Sequence, residues 1–524
     1  MAQKVDIALV DKVKDELANL ISASRDSLEG CHYIDLRLGV GEGQGAMAQD
    51  GMSKFSLRDY RFSYGIRVIA GNGTPAAGYF GQPLGSADVD NLAGVIKEGL
   101  GKAYERAVAN SRAKSDRLDL WKTLGGSLQS TELAPVKVCR DTIPAVYAVN
   151  PLDIRLDEVG KLTQEVSKAV GAYDPRVKVN QVMAQTSLNR ELLISSDGAN
   201  IDRTYALTQG LCVVVAIGEG GVQQTHYDCV GHQRGWELLT DGIEEDMIRS
   251  KSLMGFALDL AADNVSLTDC KPCPSSDKDV VVITDPHYNT LLVHEIIGHP
   301  TELDRALKLE TAYAGRSWLL RSLKENMLGK EIASPLVSAY SDPMLPGFGH
   351  YEYDDEGTPV ERTVHIDKGV FRGFMNSRQT AATLGVKPNG HYKAIDSSLV
   401  PLIRMSTTVF GAGKDDPQQM IKDVENGYYV VGHRIPSISE SRENFRITSR
   451  KVYEIKNGEL GEMFRDGGIM ANTKDYLMSI DAVGNDLRIY PVFNCGKGQP
   501  MQAKKLGNGG PTLRGYARLV GGAK

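Results

Sequence analysis

The tightest constraint on this 524-residue chain is the run Val293-His-Glu-Ile-Ile-Gly-His299, in which two histidines stand five residues apart with a glutamate directly after the first. On a regular α-helix, at about 100° per residue, their side chains point roughly 140° apart, too divergent to share one ion. One residue fewer would place them at i and i+4 on a single face beside a glutamate base, the helical arrangement that holds zinc in many hydrolases. The spacing of five therefore predicts a local distortion. A π-type turn, with its i to i+5 hydrogen bond, returns His299 towards the azimuth of His294, and such turns favour functional sites. Gly298 and Pro300 flank His299 and permit a distorted helix end. Upstream, Asp285-Pro286 is an N-cap followed by proline at the first helical position, so a helix should begin there and run through His294.

Catalytic zinc in hydrolases takes three protein ligands and leaves a fourth position for water, so the two histidines need another partner. Cys495, Glu302, His287, His226 and His350 are all candidates. Glu302, three residues after His299, reads either as a carboxylate ligand or as the group that orients a ligand from behind. Spacing alone does not choose among them, and the same histidines and glutamate also occur together as ordinary core or surface residues. Seven cysteines, an odd number spread thinly over a long chain, follow the cytosolic pattern of free thiols. Cys270-Lys-Pro-Cys273 is a lone pair with no second pair at zinc-ribbon distance, and it is read as inert.

Length implies two domains. A helix over about Asp6 to Ser24, strands at Tyr33–Leu38 and Ser63–Ala70, and a helix from Ala87 to about Ser115 with Asp88 at its start form one helix–sheet–helix unit. The outline recurs with a helix from Leu156 to Ala172, strands at Val177–Leu188, Glu191–Ser196, Thr204–Ala216 and Gln223–Cys229, and a helix from about Glu245 to Asn264. The stretch from Thr268 to Asp277, rich in proline and serine, reads as a linker. Beyond it come the strand Val280–Thr284, the helix carrying the histidines, and then mostly strand and turn to a glycine-rich tail, Cys495–Gly522, able to fold back on that helix. The expected class is α+β: an N-terminal α+β domain over residues 1–267, and a β-rich domain over residues 276–524 carrying the HExxxH helix.

Five segments in order, His294–His299, Asp355-Glu-Gly-Thr-Pro359, Val483-Gly-Asn-Asp486, Cys495-Gly-Lys with Gly498-Gln499, and Gly510-Pro-Thr-Leu-Arg514, resemble the motifs of the TldD/PmbA peptidase family. Weaker resemblance at Tyr33-Ile-Asp, Gly65–Ala70 and Ser195-Ser-Asp-Gly extends it over nearly the whole chain. In that family the metal-bearing TldD-type member holds zinc through the two motif histidines and the late cysteine, whereas the PmbA (TldE) partner lacks the metal motif. The resemblance thus implies one catalytic zinc on His294, His299 and Cys495, with Glu295 as general base, and no other cofactor. It also implies hydrolysis of small or unfolded peptides, bound as an added strand in the channel of a dimer, with either a TldE/PmbA-type partner or a second copy. Pro300, where glycine is common, and a divergent segment over residues 317–351 set this chain apart. Asp355, Glu356, His365, Arg378, His391 and Arg404 stay without a role.

A formal charge of −6 with scattered lysines and arginines offers no stripe for a phosphate backbone, so nucleic acid is not an expected partner. Charged residues interrupt the stretch Met1–Leu20, and no apolar run approaches the ~20 residues of a membrane span, which points to a soluble, cytoplasmic protein. Two other functions fit the same residues: a specialised protease that trims leader peptides, and a non-catalytic scaffold subunit of a peptidase complex. A purely structural metal site fits less well, because three ligands beside an acidic neighbour leave a position open.

Overall fold

A computed structural model of the chain describes residues 4–118, 123 and 130–522. The periodicity at the start becomes the helix Leu9–Ser27, which buries Leu17 and Ile21 completely against the first sheet. That sheet has seven strands, ordered Ala76–Pro83, Met52–Ala70, Cys31–Gln49, Val177–Ser195, Asn200–Ile217 and Arg140–Ile143, with Gln223–His232 on another stretch of Asn200–Ile217. Its strands are longer than their patterns predict, because Val177–Leu188 and Glu191–Ser196 run together as one. The helix Leu156–Ala172 stands where its spacing places it. The helix expected from Glu245 starts only at Leu253, after Ser252 accepts a bond from the Gly255 amide. Glu245 to Ser250 go instead to a two-stranded turn, where Ile248 packs on Val409 and Ile489 of the second half. Tertiary burial there outweighs local helical spacing.

Two further large sheets and a two-stranded ribbon, Tyr392–Lys393 with Leu402–Ile403, make up the second half. Eight strands run in the order Lys271–Pro272, Glu459–Arg465, Asn444–Lys456, Asn426–Ile438, Val280–Thr284, Leu513–Val520 and Gly468–Asn472, with Ala482–Val483 also on Leu513–Val520. The stretch read as a linker thus supplies an edge strand. Cys270 and Cys273 within it are free thiols. The other sheet has six strands: Val370–Phe371, Thr363–Asp367, Ala339–Ser341, Thr407–Phe410, Gln502–Gly510 and Arg488–Lys497. Among the described residues no strand before residue 267 pairs with one after it. The architecture is α+β, with helices on the first sheet and a β-rich second half.

The helix Pro286–Val293 lies between the two later sheets, packed on Asn426–Ile438 and on Gln502–Gly510. Its start is capped as its sequence demands: Asp285 accepts a 2.7 Å bond from the Tyr288 amide. Asn289 then donates to the Pro511 carbonyl at 2.7 Å, which fastens the glycine-rich tail to the helix. This packing brings the tail to the histidines. Among the described residues no helix is long and apolar enough to cross a membrane.

Candidate metal centre

Past Val293 the helix widens into a π-turn over His294–Gly298, closed by a bond from the His299 amide to the His294 carbonyl. The five-residue spacing is thereby absorbed: the imidazole centroids lie 4.6 Å apart with their planes at 85°. Glycine is needed at 298, since a Cβ there would collide with the Met405 sulfur. Pro300 opens a single turn of tighter helix, His299–Thr301, which ends the element.

One β-hairpin completes the cluster. Its outer strand, Arg488–Lys497, carries Cys495, whose Sγ stands 3.6 Å from His299 Nε2. Its inner strand, Gln502–Gly510, carries Asn508, whose side-chain amide lies 2.6 Å from His294 Nδ1. The donor atoms of His294, His299 and Cys495 all fall within 4.8 Å of one another, and all three residues are buried. Two ligands of a tetrahedral zinc, at ~2.3 Å for sulfur and ~2.0 Å for nitrogen, stand about 3.6 Å apart, so the measured sulfur–nitrogen gap suits a shared ion. The soft N₂S donor set suits zinc over calcium or magnesium. Each ring has its Nδ1 engaged, His299 with Glu302 at 3.1 Å and His294 with Asn508, which leaves both Nε2 atoms for a cation.

Charge around the cluster is ordered. Burial opposes ionisation of the Cys495 thiol, yet the adjoining His294 and His299 rings hold it well below the usual thiol range. Burial likewise pushes the Glu295 carboxyl up, but the Arg442 guanidinium, with help from both imidazoles, brings it below its ordinary value. Arg442 makes an ion pair with Glu295 Oε2 and is itself 3% exposed. Behind His299, Glu302 is fully buried, and against its desolvation the charges of Lys497, His299 and Arg305 hold it well below the carboxylate range. Glu302 accepts from Arg305 Nε at 2.8 Å and lies 3.2 Å from Lys497 Nζ. Its Oε2 stands behind the ring of His299, shared by Nδ1 of that ring and by the two cations.

The other candidates lie elsewhere. His287 pairs with Asp228 at 3.2 Å and stacks on His433, His350 bonds Glu352 at 2.9 Å, and His226 is buried without a hydrogen-bond partner. None joins the cluster. Asp355 and Glu356 tie the first sheet to the second half: Asp355 pairs with Arg37 at 3.0 Å and Lys393 at 2.6 Å, and Glu356 with Arg67 at 2.8 Å. Arg378 reaches Asp197, His365 bonds Ser341, and His391 lies 3.2 Å from the Arg404 carbonyl. Arg404 alone approaches the centre, since its guanidinium donates to the Cys495 carbonyl and fixes that strand. Sequence reasoning missed Asn508 and Arg442, which lie 214 and 147 residues from their partners. Only Arg305, three residues after Glu302, carried a local signal.

Known proteins place the chain. Residues 277–514 match the family model described as the PmbA/TldA metallopeptidase C-terminal domain. A metalloprotease from Methanothermobacter thermautotrophicus is 31% identical over 329 residues, 63% of this chain and 66% of that one. Another, from Methanocaldococcus jannaschii, is 25% identical over 494 residues, 94% of this chain and 98% of its own length. Among solved structures, TldE from Thermococcus kodakarensis superposes with a TM-score of 0.69 over 96% of this chain and 99% of that one, at 17% identity, so its likeness is one of fold. Residues 277–514 thus carry the C-terminal domain of the TldD/PmbA metallopeptidases, and the chain is similar to metalloproteases over most of its length.

Proposed function

We propose that this chain is a zinc-dependent peptidase that cleaves small or unfolded peptides, with one zinc held by His294, His299 and Cys495 and with Glu295 as general base. The single observation that carries the reading is the π-turn, which brings the rings of His294 and His299 to 4.6 Å with the Cys495 sulfur 3.6 Å from one of them. When bound, the ion supplies Lewis acidity towards a peptide carbonyl and towards water. Glu295 takes the proton of the attacking water and returns it to the leaving amine. Its Oε2 is engaged by Arg442, so Oε1 is the atom for that transfer. Asn508 and Glu302 keep the two imidazoles turned so that neither ring rotates away from the site.

In this reading residues 276–524 form the peptidase domain, and residues 1–267 form the part that builds the channel and the dimer. The peptide lies extended, held by backbone hydrogen bonds that make little demand on sequence. The partner is a TldE/PmbA-type subunit, a proposal supported by the fold shared with TldE, or else a second copy of this chain, and the proposed setting is the cytoplasm. Retention of every ligand and of the base favours the catalytic half of such a pair over a scaffold. The test is elemental analysis of the purified protein together with cleavage of an unstructured peptide, alone and with a co-purifying subunit. About one zinc per chain and chelator-sensitive cleavage are expected. A metal-free protein that cleaves normally would refute the reading.

A further inference from the structure

Glu302 and Glu295 each pair with an arginine, and both arginines continue to the same loop. Arg305 bonds Glu302 through Nε and the Ala312 carbonyl through Nη1 at 2.7 Å. Arg442 bonds Glu295 through Nη1, the Ala314 carbonyl through Nε at 3.1 Å and the Tyr313 carbonyl through Nη2 at 3.4 Å. Three consecutive carbonyls, of residues 312, 313 and 314, thus face guanidinium groups whose other edges hold the carboxylates beside the histidines. Tyr313 and Ala314 have φ of 57° and 54°, a left-handed conformation that costs non-glycine residues free energy and persists only where the surroundings over-determine it. The charged donors supply that restraint. Ser317 adds a 2.6 Å bond to the Pro300 carbonyl, so the loop is tied to the end of the histidine helix. Tyr313 itself is 52% exposed, with its hydroxyl 3.4 Å from Gln499 Nε2, close to Cys495 in the chain.

Arg442 is held as firmly as what it holds. Its φ is 65°, its amide donates to Ser439, and its carbonyl accepts from Thr473 Oγ1 at 2.8 Å. Nη1 also reaches the Glu295 carbonyl at 3.3 Å, so one nitrogen contacts both the backbone and the side chain of the same glutamate. A single fork therefore fixes the base in one rotamer and the loop in one conformation. Lysine, a point charge, cannot make these four contacts at once.

From this juxtaposition we infer that Arg442 is a positioning residue of the reaction: it turns one oxygen of Glu295 towards the centre and locks the loop of residues 308–317 as a fixed rim over it. The inference rests on Glu295 being the general base.

Hydrogen exchange and peptide turnover test it on the zinc-loaded protein, with any co-purifying subunit kept, in wild type and in R442A, R442K and E295Q. With zinc content unchanged, R442A should exchange the amides of residues 311–316 about tenfold faster or more, whereas E295Q, which keeps the carbonyl bonds, should leave them protected. Turnover of an unstructured quenched-fluorescent peptide should fall about 10- to 100-fold in kcat for R442A, with KM within about threefold. Guanidinium chloride at millimolar concentration should restore part of that kcat in R442A and none in E295Q, and R442K should stay slow. Unchanged loop protection in R442A, or a kcat within about twofold of wild type, overturns the inference. If R442A fails to fold, R442K decides it by the same two readouts. Wild-type turnover in E295Q would instead remove the base assignment, whatever the arginine variants show.

Discussion

Glu302→Gln separates two things that a buried carboxylate does at this centre. Glutamine keeps the volume and an acceptor oxygen at 302 but removes the negative charge that faces His299 Nδ1 at 3.1 Å, Arg305 Nε at 2.8 Å and Lys497 Nζ at 3.2 Å. Arg305 and Lys497 are both fully buried, so water does not replace the lost partner. Removing one member of a buried ion pair costs about 3–5 kcal/mol. Asp304, 2.7 Å from Lys497, remains to share its charge, which places the expected loss near the lower end, about 3 kcal/mol. The second effect is on the metal: loss of the carboxylate behind a ligating histidine weakens affinity about 10- to 100-fold. Urea unfolding of the chelator-treated protein reads the first effect alone, and competition with a zinc chelator reads the second. Adding Lys497→Met to Glu302→Gln should recover part of the stability but none of the affinity, because it removes the stranded cation and leaves His299 without its anion. A single variant within about 1 kcal/mol of wild type, with unchanged zinc affinity, would refute the reasoning.

Glu295→Gln should keep its zinc and lose turnover by at least about 100-fold, checked by elemental analysis beside the peptide assay; normal activity removes the base assignment. Cys495→Ala should lower zinc content measurably, and a full complement of metal in that variant would reject the thiolate as ligand. The Glu352 carboxyl is affected by burial, which raises its pKa, but its bonds to His350 and Arg203 dominate and bring it to about 2 from an ordinary 4.5. A depressed folded-state pKa gives stability that is present above the unfolded value and lost as pH falls, so wild type should lose more stability between pH 4.5 and 2 than Glu352→Gln; parallel acid curves would contradict the pairing.

Much of this was legible in the sequence where the constraint is local. Asp285-Pro286 fixes the helix start, and a separation of five leaves few geometries other than the i to i+5 turn that the chain adopts. Helix Leu156–Ala172 follows from its periodicity because its own face is what it buries. Boundaries failed where tertiary contact decides, as at Glu245–Ser250, where Met247 and Ile248 serve the contact with the second half. Lys271–Pro272 failed for a similar reason: two residues paired with Glu459–Arg465 leave no periodic trace. Side chains that support the centre were invisible on other grounds. Asn508 and Arg442 reach the centre from a strand and a turn far away in the chain, and a lone asparagine in Gly507-Asn-Gly-Gly or an arginine beside Glu443 looks like any turn residue. Sequence periodicity reports which face is buried, not which polar atom meets another across the fold.

The arrangement of charge explains why a cation belongs at this place. Glu295 has Arg442, while Glu302 and Asp304 share Arg305 and Lys497, so each carboxylate beside the histidines is matched by a protein cation of its own. The Cys495 sulfur differs. Among the described residues no lysine or arginine nitrogen is hydrogen-bonded to it, and the groups that hold it ionised are the two imidazoles. Burying a thiolate is expensive unless a positive charge accompanies it; burial works against a charged His294 ring, yet the Cys495 sulfur beside it brings that ring above its ordinary pKa, so without a metal the site must hold a proton to offset the sulfur. A divalent ion satisfies the sulfur and keeps both rings neutral as donors. Zinc binding should therefore release protons, and a titration in two buffers of different ionisation enthalpy would count them. No proton release on binding would mean that the metal-free centre already tolerates a thiolate with no proton on the sulfur or the rings, and the charge argument for a metal at Cys495 would fail.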